Sequence, residues 1–508
     1  MPNTVSAPRH TAAWSPRSHA LVVTAALMVL AGGCSQPPPQ EPAAPGPAAT
    51  ARLADDALVV GWSPIDGHNG MYEVQASTST GWVTFEQTAL TSASYSDVQN
   101  RRTYSFRVRA AATGSTPPTD WGPVTSALYV DLVLPVMWID TGGAPIADKE
   151  NYVPGSVQLD PNGSGYSPYS GTMGIRGRGN STWTYPKKPY RLKLDTRSEL
   201  MGMASERDWV LLANYIERSH LRTAVAMEAS AATDLEYTPT TRHVEVVLNG
   251  RYDGVYVLTQ HNEVGPDRID IDSMGPGDVA GDAVTGGYLL ELDFHLGESD
   301  EPGFRTAANV PIVVKDPDPM AAQQLTYIRS RVQAFENALL GAAFTNPSTG
   351  YRAYLDVETF IDHYLVQELT RNQDAFHSST FFTKQRGDAL FRFGPVWDFD
   401  RSIGTNGGAP TPATGWWVRT GGTPQHPWVP RLFEDPMFVQ QVVQRWDELK
   451  PAFLQVVSGI PARGAALQPA VDNDAARWNY PIVHGDRPEF LVAWLQQRIA
   501  WMDAQLHA

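Results

Sequence analysis

Glu368-Leu-Thr-Arg-Asn-Gln-Asp374-Ala-Phe-His377-Ser378-Ser379, running on through Thr380-Phe-Phe-Thr-Lys384 and Gln385-Arg-Gly-Asp388 to Gly394-Pro-Val-Trp397-Asp398-Phe399-Asp400-Arg401, is the stretch that decides the reading of this chain. Apolar residues at helical spacing precede it from Asp356 to Leu369. A polar loop with Asp374 follows, then two short strands joined at a Gly-Asp turn, then an acidic pair around an aromatic residue. Acids arranged this way suit magnesium, a hard cation that takes oxygen ligands and is commonly held by one or two carboxylates plus phosphate oxygens. On spacing alone a purely structural account stands beside that one, with Asp374 capping a turn and Asp398 and Asp400 pairing with arginines such as Arg401.

Upstream, a glycine-bearing loop, Arg176-Gly-Arg178-Gly-Asn180-Ser181-Thr-Trp183, stands between two strand-like runs. Such a loop lets backbone N–H groups approach a phosphate. In the second run Tyr190, Leu192 and Leu194 share one face while Arg191 and Lys193 share the other, from the period-2 geometry of a strand. No Gly-Lys-Ser/Thr follows, so this is not a Walker loop. Asn249-Gly250 between His243–Leu248 and Gly254–Thr259 is a hairpin signal. Helical periodicity appears at Ser219–Ala232, Met320–Leu340, Phe438–Leu449 and Pro488–Leu506. Residues 134–508 therefore place strands first and helices after, and the expected class is α+β.

The chain has 508 residues and a net charge of −15, which excludes the basic footprint of a general nucleic-acid binder. One cysteine excludes a disulfide framework or a Cys-based metal site. No Gly-x-Ser-x-Gly elbow and no His-Glu-x-x-His helix is present. Asp160-x-Asn162-x-Ser164-Gly165 begins like a calcium loop, but Gly171 stands where the bidentate Glu belongs, so a turn is expected; His261 and Asn262 read as loop polars. Residues 1–33 read as a secretory signal, with Arg9 and Arg17 before an apolar run from Leu21 to Leu30. Cys34 behind small residues resembles a bacterial lipoprotein lipobox, which implies lipidation there and an extracytoplasmic, membrane-anchored protein with outer-membrane sorting. Residues 34–50 are a Pro-rich spacer. Residues 51–132 alternate in short strands, and their Trp62, Tyr72, Val98, Tyr104 and Val108 spacing resembles a fibronectin type III domain, an all-β sandwich serving as spacer or binding module.

The strings IRGRGNSTW with PKKPYRLKLD, ANYIERSHLRTAVAMEAS, VVLNGRYDGVYVLTQ, GGYLLELD, QELTRNQDAFHSSTFFTK and GPVWDFDRSIG occur in that order, and the span 134–508 resembles the CotH kinase family. The resemblance implies an atypical protein-kinase-like fold, ATP and Mg2+ (or Mn2+) as cofactors, and Ser/Thr of cell-envelope or surface proteins as acceptors. By position it implies Asp374 as catalytic base. Asp398 would be the principal metal ligand, with Asp400 in reserve and Ser379 where a kinase has its metal-binding amide. It implies Arg178, Asn180 and Ser181 over the nucleotide, Lys188 or Lys193 on its phosphates, and Glu228 as an ion-pair partner. Gln260 stands where the family often has Glu, and with the β-sandwich and the anchor it favours the alternative of a catalytically weak or inactive kinase-like surface module for adhesion or envelope or coat assembly.

Overall fold

The computed structural model describes residues 43–114, 116–420 and 427–508; the signal segment and Cys34 lie outside them. Among the described residues no helix is long and apolar enough to cross a membrane.

The first seven strands build a sandwich. β1 (Ala49–Leu53), β2 (Leu58–Trp62) and β5 (Ser92–Tyr95) form one sheet in the order β1-β2-β5. β3 (Tyr72–Thr78), β4 (Gly81–Thr88), β6 (Arg102–Ala110) and β7 (Thr125–Tyr129) form the other, in the order β4-β3-β6-β7. This three-plus-four antiparallel arrangement is the fibronectin type III-like domain expected. Alternate residues point inward, so Leu58, Val60, Val74, Phe106 and Val108 make the core. The Tyr104 hydroxyl accepts the Gln99 N–H at 2.8 Å, a tyrosine corner at the start of β6.

The sandwich is continuous with the large domain. Val136, Val247 and Tyr252 belong to its apolar core. Buried Glu245 accepts the N–H groups of Val133 and Leu134 at 2.7 and 3.0 Å and the Tyr252 hydroxyl at 2.8 Å, which pins the connection. Asn473 holds the Asp131 carbonyl at 2.8 Å, and Arg101 donates to Asn473 at 3.0 Å.

Seven strands then close a barrel: β8 (Val136–Asp140), β9 (Val153–Asp160), β10 (Tyr169–Gly177), β11 (Tyr190–Leu200), β12 (Met203–Leu212), β13 (Thr241–Leu248) and β14 (Arg251–Gln260). Their order is β10-β11-β12-β14-β13-β8-β9, antiparallel except for β8 beside β13. Asn249 (φ 51°) and Gly250 (φ 74°) make the β13–β14 turn with both central residues left-handed, as their identities require. Ile175, Leu192, Leu194, Trp209, Val246 and Leu258 fill the barrel. Asn162 donates to the carbonyls of Leu132 and Leu134, and its own N–H goes to Asp160, so the calcium-like stretch is a turn.

A second antiparallel sheet, ordered β16-β17-β15-β18-β19, comprises β15 (Tyr288–Leu292), β16 (Gly303–Arg305), β17 (Pro311–Asp316), β18 (Thr380–Lys384) and β19 (Phe391–Phe393). Helix α1 (Arg222–Ala231) lies between β12 and β13 in sequence. The remaining helices, α2 (Ala322–Leu340), α3 (Val357–Thr370), α4 (Trp428–Leu432), α5 (Pro436–Trp478) and α6 (Pro488–Leu506), pack around the second sheet. Mixed α/β architecture with strands leading is thus observed. Helix α5 runs 29 residues past Leu449, where the sequence pattern ends. Its internal Pro451, Pro461 and Pro469 are all exposed, so their rings lie on the solvent side of the helix, while Phe438, Val442, Trp446, Phe453, Val457 and Ile460 bury one stripe.

On α3, fully buried His363 has no hydrogen-bond partner for either ring nitrogen and meets the edges of Phe376 and Phe393 at 5.6 and 5.7 Å. Burial pulls its pKa down to about 3. The unfolded chain, with His near 6.5, binds the proton more readily, so this contribution is intact above that pH and is lost as pH falls toward the folded value. The loss is about 1.4 kcal/mol per pH unit across that window. His243, pulled down to about 4 by burial, acts in the same direction. His363→Phe is therefore expected to lose less thermal midpoint between pH 7 and 5 than the parent; equal losses in the two proteins would remove His363 from the account.

Candidate active site

Helix α3 begins with Asp356 accepting the Thr359 N–H at 3.1 Å and ends at Arg371, in the left-handed region at φ 47°. That reversal throws residues 372–379 into a loop over the sheet. Asn372, 1% exposed, organises it: its amide nitrogen donates to Gln367 at 2.9 Å and to the Asp398 carbonyl at 3.0 Å, while its oxygen accepts the Asp374 N–H at 3.2 Å. The Gln373 N–H reaches the Arg401 carbonyl at 3.0 Å. Asp374 and Asp398 are thereby stapled to each other's loops. Ser379 and Asp398 both have left-handed backbones, φ 52° and 64°, a conformation costly for side chains with a Cβ and typical of functional loops.

Arg222, at the start of α1 and 1% exposed, supports the second loop from behind. It donates to the carbonyls of Ser402 and Ile403 at 3.1 and 3.2 Å and pairs with buried Glu217 at 2.8 Å. The loop carrying the acidic pair is therefore fastened to α1 as well as to α3.

These elements border a cavity of about 390 Å³. Arg178, Asn180, Ser181, Ser379, Asp374, Asp398 and Asp400 all line it, so most of the expected site residues converge. Gly179 makes the glycine loop possible: its φ is +79°, and a Cβ there would lie 2.0 Å from the Thr182 hydroxyl. Arg178 faces Asp398 and extends over the Trp397 ring at 5.7 Å.

Three residues expected at the cleft, Lys188, Lys193 and Glu228, are elsewhere. Neither Lys188 nor Lys193 lines the cavity. Lys188 turns back onto its own loop, donating to the Trp183 carbonyl at 2.6 Å. Lys193 is exposed on the outer face of β11, because the period-2 alternation that buries Leu192 and Leu194 in the barrel sends it outward. Glu228 pairs with Arg463 of α5 at 2.7 Å rather than with a cleft lysine. Gln260 is buried, lies outside the cavity lining and accepts the Tyr237 hydroxyl at 3.3 Å, so a charge at that position would not have faced the cleft.

The lysine that does line the cleft among the strands of the second sheet is Lys315 on β17, 3.5 Å from Glu291 on β15. Glu291 also accepts the Ser379 N–H at 3.1 Å, and burial pushes its carboxyl up to about 7 against the pull of Lys315. Asp293 lines the cleft beside His295, 2.9 Å away, and His377 stacks on Phe294 at 3.9 Å. Glu291 and Asp293 fall in the GGYLLELD string, Lys315 on β17 and His377 in the loop after α3, so no single stretch of sequence collects them.

The acids raise one another. Burial, then Asp398, pushes Asp374 up to about 6 while Arg401, 3.9 Å away, opposes. Burial raises Asp398 against Arg178 and Arg401, and burial followed by Asp398 and Asp374 holds Asp400 well above the ordinary carboxylate range. Among the described residues neither Asp398 nor Asp400 has an ion-pair partner within 4.0 Å; Ser379 Oγ stands 3.5 Å from Asp398. The structural account of pairing with Arg401 thus fails for both. Half-buried carboxylates without counter-ions are what a hard cation would neutralise. They do not form a preassembled three-ligand cluster; the one group of that kind among the described residues is Asp447, Asp503 and His507 near the C-terminus. The donor set therefore fits magnesium brought in with phosphate oxygens better than an all-protein cage.

Helix, acid-bearing loop, hairpin and acidic pair under a glycine loop define a mixed α/β protein of kinase-like layout. The family model described as CotH kinase protein matches residues 175–502, more than half of the chain, and the chain belongs to that family. Membership suggests kinase activity and, with it, use of ATP. Among solved structures, the chain is similar to an Fn3-like protein from Clostridium thermocellum, at 22% identity over 17% of this chain and 92% of that one, TM-score 0.15. It is also similar to titin kinase with its flanking domains, at 10% identity over 38% of this chain and 43% of that one, TM-score 0.16. No curated protein matches the chain.

Proposed function

We propose that this protein is an ATP-dependent protein kinase that phosphorylates Ser or Thr of cell-envelope or surface proteins, acting outside the cytoplasm and tethered through lipid on Cys34. The observation that carries the reading is the stapling of Asp374 and Asp398 through Asn372 on facing loops, with Arg178 opposite. Asp374 takes the proton of the acceptor hydroxyl as its oxygen attacks the γ-phosphorus and the bond to the β-phosphate oxygen breaks. A base whose pKa is about 6 is ionised at neutral pH and still basic enough for that role. Arg178 and Lys315 supply positive charge to the phosphate oxygens, the main requirement of phosphoryl transfer. Asp398, Asp400 and Ser379 would hold magnesium or manganese, which when bound would supply charge neutralisation for the phosphate oxygens. Gln260, which lies outside the cavity lining, no longer weighs for the alternative of an inactive module, whose remaining support is the sandwich and the expected anchor.

The test is transfer of label from γ-labelled ATP by the purified full chain to itself and to a generic protein acceptor, with and without magnesium or manganese. Metal-dependent label on Ser or Thr is expected. No label, together with no ATP-induced thermal shift, would overturn the reading.

A further inference from the structure

Asn262 lies immediately after β14, where the chain leaves the barrel for the second sheet. It is 8% exposed, it lines the cleft, and neither its Nδ2 nor its Oδ1 has a hydrogen-bond partner. A buried amide left without partners costs free energy, and such groups are rare enough that each calls for a cause. The surroundings supply one. Leu212, Met227, Phe381 and Trp397 line the same cavity and belong to one apolar cluster, so part of the cleft is greasy and flat-walled while Asp374, Asp398 and Asp400 make another part acidic. The neighbouring His261 is half-buried and pulled down to about 4 by desolvation, so it adds no positive charge. A volume of about 390 Å³ lies within the range of small-molecule sites.

We propose that Asn262 reads the base of the nucleotide, its carboxamide pairing with the adenine edge while Leu212, Met227, Phe381 and Trp397 enclose the ring. This rests on the kinase reading above and adds the residue that selects the nucleotide. A carboxamide offers one donor and one acceptor side by side, which complements the N6 amine and N7 of adenine; guanine presents two acceptors, O6 and N7, along the corresponding edge and sets one against the amide oxygen. The unpaired amide of the free protein is then a group whose partner arrives with the ligand.

The experiment measures binding of non-hydrolysable ATP and GTP analogues and of inorganic tripolyphosphate, which has no base, to the full chain with magnesium. The parent is compared with Asn262→Leu, a near-isostere, and Asn262→Ser. The parent should favour the ATP analogue. Asn262→Leu should bind it about 10-fold or more weaker, the worth of a hydrogen-bonded pair in a buried site, lose the preference over GTP, and bind tripolyphosphate as the parent does. Its thermal midpoint without ligand should equal or exceed the parent's, since an unpaired amide has been removed. Should Asn262→Leu fail to fold, Asn262→Ser carries the same comparison. Unchanged ATP affinity and ATP/GTP ratio in the variants would overturn the proposal and leave the kinase reading intact. Equal losses for tripolyphosphate and the ATP analogue would overturn it too, because the effect would not involve the base. A parent that binds neither nucleotide nor tripolyphosphate would bring down the kinase reading, and this proposal with it.

Discussion

Asp398→Asn is expected to lower phosphoryl transfer by about 10³-fold or more, the scale at which a metal's charge stabilisation acts on a transition state. Asp398 presents its carboxylate to the cavity without an ion-pair partner, opposite Arg178, and the Asn372 amide fixes the backbone beneath it. The substitution keeps shape and removes a charge that burial already disfavours, so the free protein should be as stable as the parent or more so. Asp374→Asn should cost about 10²–10⁴-fold, the range of general-base catalysis, with nucleotide affinity preserved. Single-turnover rates with thermal midpoints alongside check both. A transfer rate in Asp398→Asn within tenfold of the parent would remove that residue from the chemistry.

The second large effect is on stability. Lys187, at the end of the glycine loop, donates to Asp474 of α5 at 2.6 Å, and both side chains are fully buried. Asp474 also accepts the Val255 N–H at 2.8 Å and the Tyr480 hydroxyl, with His220 3.3 Å away. Burial would raise the Asp474 carboxyl, yet Lys187 and His220 hold it far below the ordinary range. Gly254 permits the approach: with φ +116°, a Cβ there would fall 2.0 Å from Asp474 Oδ1. This knot ties α5 to the barrel and anchors the loop that carries Arg178. Lys187→Met leaves the carboxylate buried and uncompensated, and should destabilise the protein by about 3–5 kcal/mol. Lys187→Met with Asp474→Leu should recover much of that, because a buried ion pair replaced by apolar groups is often neutral. Denaturation midpoints of the two single variants and the double variant measure it. A single-variant cost near that of an exposed pair, under about 1 kcal/mol, would contradict the assignment.

Local patterns were the legible part of this chain. Helices α2, α3 and α6 follow from apolar residues at helical spacing, and the β13–β14 hairpin from Asn249-Gly250. Helix α5 outruns its sequence pattern because a proline signals a stop unless it falls on the solvent side, and solvent side is a tertiary fact. Barrel closure, with β8 parallel to β13 a hundred residues away, has no local signature at all. The same divide runs through the site. Asp374, Ser379, Asp398 and Asp400 share one short window and could be found together, whereas Glu291 and Lys315 arrive on two other strands, β15 and β17, far from that window in the chain, and Asn262 reads as a loop polar. For Lys193 the period of two sets the facing relative to Leu192 and Leu194, but only the closed barrel decides which face meets the cleft; Lys188 precedes the strand, and its turn back onto the loop has no periodic signature.

The measurement that tests the central claim most directly is the affinity of a non-hydrolysable ATP analogue, by calorimetry, with and without magnesium, in the parent and in Asp398→Asn. If the cleft acids exist to receive a metal-bridged triphosphate, magnesium should tighten binding to the parent by about tenfold or more and leave Asp398→Asn nearly indifferent. Affinity in the parent that does not respond to magnesium, or that responds equally in the variant, would contradict the account.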